Sequence, residues 1–248
     1  VIRLLVAASR LVSGPVDIDG DEHRYLGLAR RARVGDEVEL FDGAGRAARA
    51  RVVRMSTGSS TLEVGPVGQV VPARPELVAV VPWIKGERMD WCVEKLVEVG
   101  AARIVVFAAA RAVVQLDGER LRGRIDRLGR AAAAAARQAG RADLPVVEAA
   151  AALATVLPGL AVDAGWLCLP GAEAAPRCLP AEVARLAVVS GPEGGLTGDE
   201  VEAALGRGFA PIGLGPHILR AETAPVVAVA LARQAGGADV ATEANWAV

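Results

Sequence analysis

The chain has 248 residues, 52% of them hydrophobic and only 3% aromatic, with a formal net charge of −1. That apolar share excludes global disorder and demands an aliphatic core, while the length admits one large domain or two unequal ones. Cys92, Cys168 and Cys178 are an odd set without zinc-ligand spacing, which argues against a disulfide or zinc scaffold and for a reducing compartment.

The small net charge hides an asymmetry. Residues 1–54 carry ten Arg against eight acids, and residues 85–145 carry twelve Lys and Arg against eight acids. Residues 146–248 carry five Arg against eleven acids. Apart from Lys85 and Lys95, every basic residue is arginine, the side chain suited to planar contacts with phosphate. An arginine-for-lysine habit of a GC-rich genome gives the same composition, but the asymmetry fits a first half that grips a polyanion. The apolar run at 1–6 is too short for a signal peptide, and no stretch reaches the ~18 apolar residues of a membrane helix. A cytoplasmic protein without a membrane partner is therefore expected.

In chain order, residues 38–41, 48–53 and 61–64 read as short strands. Asp42-Gly43-Ala44-Gly45 forms a hairpin-type turn between the first two, because Asp-Gly supplies the positive φ such turns need. Pro66, Pro72 and Pro75 punctuate a linker. From Leu77 the rhythm changes to strand–helix alternation. Strands are predicted at 77–81, 103–107, 145–148, 166–169, 186–190 and 210–214. Helices are predicted at 87–99, 118–138, 199–206 and 222–234. In the first helix Met89, Cys92, Val93, Leu96 and Val99 share one face, and Gly100 suits its C-terminal cap. Such alternation predicts an α/β domain with a parallel sheet covered on both faces.

Several chemistries lack their usual support. His23 and His217 sit in no metal-ligand spacing, and no nucleophile elbow, phosphate loop or dinucleotide fingerprint occurs. Two stretches near the C-terminus stand out. Residues 190–200, S-G-P-E-G-G-L-T-G-D-E, follow a strand and open a helix, with Thr197 and Glu200 as a capping box. Their glycines let backbone amides approach a ligand, and the end of a parallel strand is where open α/β sheets bind one; a tight structural turn is the other reading. Residues 214–224, L-G-P-H-I-L-R-A-E-T-A, also join a strand to a helix. Arg220 and Glu222 stand there between apolar neighbours, as a pocket wall or as an ion pair, of Arg220 with Glu222 or Glu193, that holds the turn.

The two stretches, in this order, resemble the signature of the RsmE family of the SPOUT superfamily: a G-P-E-G-G loop followed by L-G-x-x-I-L-R-x-E-T-A. The likeness continues through Lys85-Gly86-Glu87-Arg88-Met89-Asp90, Glu94-Lys95 and Glu98-Val99-Gly100. It includes Arg137-Gln138-Ala139-Gly140-Arg141 through Pro145, and Arg31-Ala32-Arg33-Val34-Gly35-Asp36 with Phe41-Asp42-Gly43. The chain departs from the family pattern at His23-Arg24-Tyr25, Val106, Ala109-Ala110, Arg137 and His217.

The resemblance implies an N-terminal PUA-like β-barrel that binds RNA, residues 1–70, followed by a SPOUT α/β methyltransferase domain with a C-terminal trefoil knot, residues 71–248. It implies a homodimer with the active site at the subunit interface, acting on 16S rRNA within the small ribosomal subunit. It also implies S-adenosyl-L-methionine as methyl donor, no metal, and methylation of a uridine at N3. Carried over residue by residue, the cofactor contacts fall on Leu169, Pro170 and Gly171, and on Gly191, Pro192, Glu193, Gly194 and Gly195. The remainder fall on Leu214, Gly215, Pro216, Ile218, Leu219, Arg220, Ala221 and Thr223.

Uracil N3 must lose a proton, the resulting anion must be stabilised, and N3 must be placed in line with the methyl group. Arg220 is assigned to the anion, and Glu222 to the base or to orienting Arg220. Arg10, Arg31, Arg46, Lys85, Arg88, Arg111 and Arg141 are the candidate phosphate contacts. Three rivals stay open: a SPOUT methyltransferase acting on tRNA, a catalytically silent RNA-binding ribosome-assembly factor, and a phosphate-binding α/β enzyme.

Overall fold

The computed structural model describes residues 1–111 and 118–237. Among the described residues it divides into two units, Val1–Pro72 with Ala136–Leu144, and Ala73–Ala135 with residues 145–237. The end of the predicted second domain, 238–248, lies outside the described residues.

The first unit carries strands β1 (Ile2–Leu5), β2 (Gly14–Asp19), β3 (Glu37–Phe41), β4 (Arg46–Met55), β5 (Ser59–Val64) and β6 (Gly68–Gln69). Helix α1 (Gly20–Arg24) runs on into one π turn, Tyr25–Ala29. The sheet order is β1-β3-β4-β5-β2, with β6 pairing β4. The expected Asp-Gly hairpin is present: Asp42 Oδ1 accepts the amides of Ala44 at 2.8 Å and Arg46 at 3.0 Å, and Gly43 and Gly45 take positive φ. Burial opposes the Asp42 charge, but these amides and the Arg46 guanidinium outweigh it and hold the carboxyl below its usual range. Alternation along β4 puts Ala48, Ala50 and Val52 in a core with Leu4, Ile18, Leu26, Leu40 and Leu62, and leaves Arg49 and Arg51 outside. Each fully buried Leu or Ile in that core stabilises by roughly 2 kcal/mol.

Periodicity does not signal that residues 136–144 belong to this unit. Arg3 donates to the Arg141 carbonyl at 2.8 Å and to Glu39 at 2.9 Å, and Leu144 N donates to Gly43 O at 2.9 Å. Arg137 pairs with Glu22 at 2.6 Å and lies 4.5 Å over the Tyr25 ring. Two departures from the family pattern, Arg137 and Tyr25, thus pack on each other. Burial pushes the Glu22 carboxyl above its usual range against the pull of Arg137.

The second unit carries β7 (Glu76–Pro82), α2 (Glu87–Glu98), β8 (Ala101–Phe107), α3 (Gly118–Gln138), β9 (Val146–Ala150), α4 (Leu153–Val156) and β10 (Ala164–Cys168). These are followed by β11 (Arg185–Val189), α5 (Gly198–Leu205), β12 (Phe209–Ile212) and α6 (Thr223–Ala235). Every pairing in its sheet is parallel, in the order β12-β10-β11-β7-β8-β9. Val78, Val80, Val105 and Phe107 face a core shared with Leu153 and Val156 of α4 and Ala204 of α5. Strand alternation sends Leu77, Ala79 and Val81 to the opposite face, and α2 and α6 pack together and against the sheet. The chain steps outward through β8 and β9, then returns to the other side of β7. The order therefore reverses between β7 and β11, the place where open α/β sheets form a crevice at their carboxyl edge.

Candidate active site at the carboxyl ends of three parallel strands

Strands β12, β10 and β11 are neighbours, so the loops that leave their carboxyl ends must lie side by side. Cys168 of β10 is in register with Ile212 of β12, and Leu167 with Val189 of β11. The 169–174 loop is stitched to the end of β12: Leu169 N donates to Ile212 O at 2.9 Å, and Gly213 N to Glu173 O at 2.6 Å. A Cβ on Gly213 would collide with the Ala172 carbonyl, so glycine is required for this close approach.

The 191–195 turn leaves β11 through Ser190, which is 1% exposed. Gly195 N donates to Pro192 O at 2.8 Å, and Gly195 has φ +72°. The predicted capping box closes the turn: Glu200 N donates to Thr197 Oγ1 at 3.3 Å, and Thr197 N to Glu200 Oε2 at 2.8 Å. The other oxygen of Glu200 accepts the Ala110 amide at 3.0 Å. Arg111 then donates to the carbonyls of Gly194 at 3.2 Å and Leu196 at 3.4 Å. A Cβ on Gly191 would lie 3.0 Å from Leu196 Cγ, and one on Gly194 would lie 3.3 Å from Arg111 Cβ, so both glycines fit a tightly built cradle.

The third segment, 213–222, ends on α6. Thr223 N and Ala224 N both donate to Arg220 O, at 2.9 and 3.0 Å, which fixes the turn that carries Arg220 and Glu222. The two side chains have opposite surroundings. Arg220 is 79% exposed, whereas Glu222 is 8% exposed, and Arg220 Nη1 stands 4.0 Å from Glu222 Oε1. Leu214 and Leu219 are half-buried, and Gly215, Pro216, His217 and Ile218 are exposed. Behind Glu222 lies Cys92 of α2, whose thiol is pushed up to about 12 by burial first and then by the Glu222 carboxylate.

The structure brings the two C-terminal turns together, and Arg88 is the link. Its Nη1 lies 3.1 Å from Glu193 Oε1 and 3.5 Å from Glu222 Oε2. Both contacts are ion pairs without hydrogen-bond geometry. Glu222 Oε2 and Ser190 Oγ are buried side-chain oxygens with no hydrogen bond among the described residues.

The residues expected to meet phosphate differ in their surroundings. Arg46 is tied to Asp42 at 2.7 Å and to the Ala8 carbonyl, and Arg141 is paired with Asp143. Arg10 pairs with Asp19 at 2.9 Å. Arg88 and Arg111 are built into the turns. Arg31 and Lys85 are exposed. The roles of Arg88 and Arg111 within the turns were missed in the sequence, although Arg88 stands one helical turn before the buried Cys92 and so borders the buried face of α2. A cleft of about 300 Å³ lined by Ala154, Leu157, Pro158, Glu202 and Arg207 lies between α4 and α5, away from these loops. Among the described residues no group of three His, Cys, Asp or Glu could hold a metal ion, and no helix is long and apolar enough to cross a membrane.

Residues 72–233 match the family model described as an RNA methyltransferase domain, and residues 18–65 match an RNA methyltransferase PUA domain. The ribosomal RNA small subunit methyltransferase E of Mycobacterium bovis is 34% identical over 219 residues, covering 86% of this chain and 83% of that one. The Bacillus subtilis protein of the same name is 28% identical, covering 86% and 87%. Among solved structures, the ribosomal RNA small subunit methyltransferase E of Neisseria gonorrhoeae, bound to S-adenosyl methionine, is 29% identical. It aligns over 92% of this chain and 95% of its own with a TM-score of 0.79. With its glycine-built turns and a family match over most of its length, the chain belongs to the RNA methyltransferase family, of the ribosomal RNA small subunit methyltransferase E type.

Proposed function

We propose that this enzyme transfers a methyl group from S-adenosyl-L-methionine to N3 of a uridine in 16S rRNA of the small ribosomal subunit. One observation carries the reading: three loops leave adjacent strand ends, and the last of them carries a buried carboxylate, Glu222, with a largely exposed arginine, Arg220, 4.0 Å away. The cradle fits the donor, because it offers glycine-flanked backbone groups in the 169–171, 191–195 and 214–221 segments and two buried side-chain oxygens without hydrogen bonds. When bound, the donor supplies an already activated methyl group. Leu169, Pro170, Gly171, the 191–195 turn, residues 214–216 and 218–221, and Thr223 would hold it.

Arg220 stabilises the uracil anion in this reading, which its exposure supports: most of the side chain faces solvent, and its one carboxylate contact, Glu222, is 4.0 Å away. Glu222 takes the N3 proton or orients Arg220; its burial keeps bulk water from that carboxylate. The target base has to leave its stack to reach this depth. The first unit, matching a PUA domain over 18–65, acts as the RNA-binding domain, with exposed Arg31 and Arg10 as its phosphate contacts, and exposed Lys85 is the phosphate contact of the second unit. The stitching of 169–174 to 213 is consistent with a trefoil knot in the 71–248 domain. A homodimer that completes the site, in the cytoplasm, belongs to the same reading.

Arg220→Ala should reduce methyl transfer to small subunits by roughly a hundredfold or more, with S-adenosyl-L-methionine still bound in calorimetry. Near-normal turnover would remove Arg220 from the chemistry. Mass mapping of 16S rRNA from cells with and without the gene identifies the nucleotide, and a modification appearing only in tRNA would favour the rival substrate.

A further inference from the structure

We propose that Arg88 is a positioning residue, a clasp that holds the 191–195 turn against the start of α6 so that both turns form one cofactor pocket. The inference rests on the methyl-donor reading above and gives Arg88 a role different from the phosphate contact expected of it.

Arg88 lies in the first turn of α2, the helix that follows β7, and Glu193 lies in the turn that follows β11. These strands flank the point where the sheet order reverses, so the Arg88–Glu193 pair spans the crevice where a ligand would sit. A single nitrogen, Nη1, reaches carboxylates from two different segments, at 3.1 Å and 3.5 Å. The two carboxylates are unlike. Glu193 is half exposed and needs no partner, whereas Glu222 is 8% exposed and is costly to keep charged alone. The groups against Glu222 are Arg88 and Cys92 from α2 and Arg220 from its own loop. The strands behind α6 carry Glu76 and Arg185, which pair with each other at the far end of the sheet, and Cys168, whose thiol is raised by burial alone. Cys92 is no cation, and Arg220 is 79% exposed against 42% for Arg88, so Arg88 supplies the less exposed of the two positive charges. This division leaves Arg220 free for substrate while Arg88 fixes geometry.

The test is a double-mutant cycle in the full chain, read by calorimetry with S-adenosyl-L-methionine alone. Arg88→Ala should weaken donor binding roughly tenfold, a typical effect for a coupled charge pair. Glu193→Gln, at an exposed position that leaves folding unthreatened, should weaken it by a smaller factor. Combining the two should add nothing beyond Arg88→Ala. Arg88→Lys should recover part of the affinity, since one ammonium can serve one carboxylate. RNA affinity and its salt dependence, measured by filter binding, should stay at wild-type values in all variants. Additive losses, or unchanged donor affinity in Arg88→Ala, would overturn the clasp. A fall in RNA affinity with a shallower salt slope would return Arg88 to the phosphate contacts. If the wild-type protein itself fails to bind the donor, the methyl-donor reading falls first and the clasp with it.

Discussion

At the amino ends of the second unit's strands, Glu76 of β7 pairs with Arg185 of β11 at 2.9 Å, and Asp163 accepts the amides of Ala184 and Arg185 at 2.9 and 2.8 Å. Every polar group named there has a partner, and the ion pair is about half exposed. At the carboxyl end of the same sheet, Ser190 Oγ and Glu222 Oε2 are buried without hydrogen bonds among the described residues, Arg220 is largely exposed, and glycines bring backbones together too closely for a side chain. The sheet itself satisfies its own groups at both ends. The difference therefore lies in the loops, where buried groups left without a partner are costly and mark the place a ligand would use under the proposed function.

The largest expected effect that would break this contrast is at Glu222. Glu222→Gln should lower methyl transfer by roughly a hundredfold or more if the carboxylate moves the N3 proton, measured as single-turnover rate on small subunits. A turnover loss below a few-fold would reduce Glu222 to a holder of the turn. Next is Gly213→Ala. Its Cβ must displace the Ala172 carbonyl, so the protein should lose about 1–3 kcal/mol of stability and bind the donor more weakly; an unchanged melting temperature would mean the 169–174 loop yields freely. At the opposite edge, Arg185→Ala breaks an exposed pair and should cost under about 1 kcal/mol with turnover intact. A drop in turnover there would erase the distinction between the two ends.

The smallest effect concerns thiols. Cys178 is exposed, whereas the Cys92 and Cys168 thiols are pushed up to about 12, chiefly by burial. Their thiolates appear only as pH rises toward that value, so between pH 7 and 9 the native protein should present Cys178 alone to a thiol reagent. Rapid labelling of Cys92 at pH 8 would show that the wall behind Glu222 opens.

Strands β3, β4 and β5 of the first unit, the strands of the second unit and the helices at 87–99, 118–138, 199–206 and 222–234 were legible because alternation and helical spacing are strong in them. The Thr197–Glu200 box and the Asp42-Gly43 turn were legible because their chemistry is local. Strands β1 and β2, α1 and α4 were not. Gly14–Asp19 begins Gly-Pro and carries two aspartates, which reads as a turn, and Leu153–Val156 is a single turn too short to show a period. The placement of 136–144 in the first unit depends on Arg3, which is far away in sequence, and no local signal reports it. In the site, the two turns were visible, but which arginine joins them was not. Arg46, Arg88 and Arg141 look alike as sequence, and only their acidic partners Asp42, Glu193 and Asp143 separate a structural tie from a surface charge.

The most direct measurement is a crystal structure of the full chain grown with S-adenosyl-L-methionine. The donor should lie against 169–171, 191–195 and 214–221, with its methyl group toward Arg220 and the Arg88 pairs intact. A donor seated elsewhere, for example in the cleft between α4 and α5, would contradict this placement.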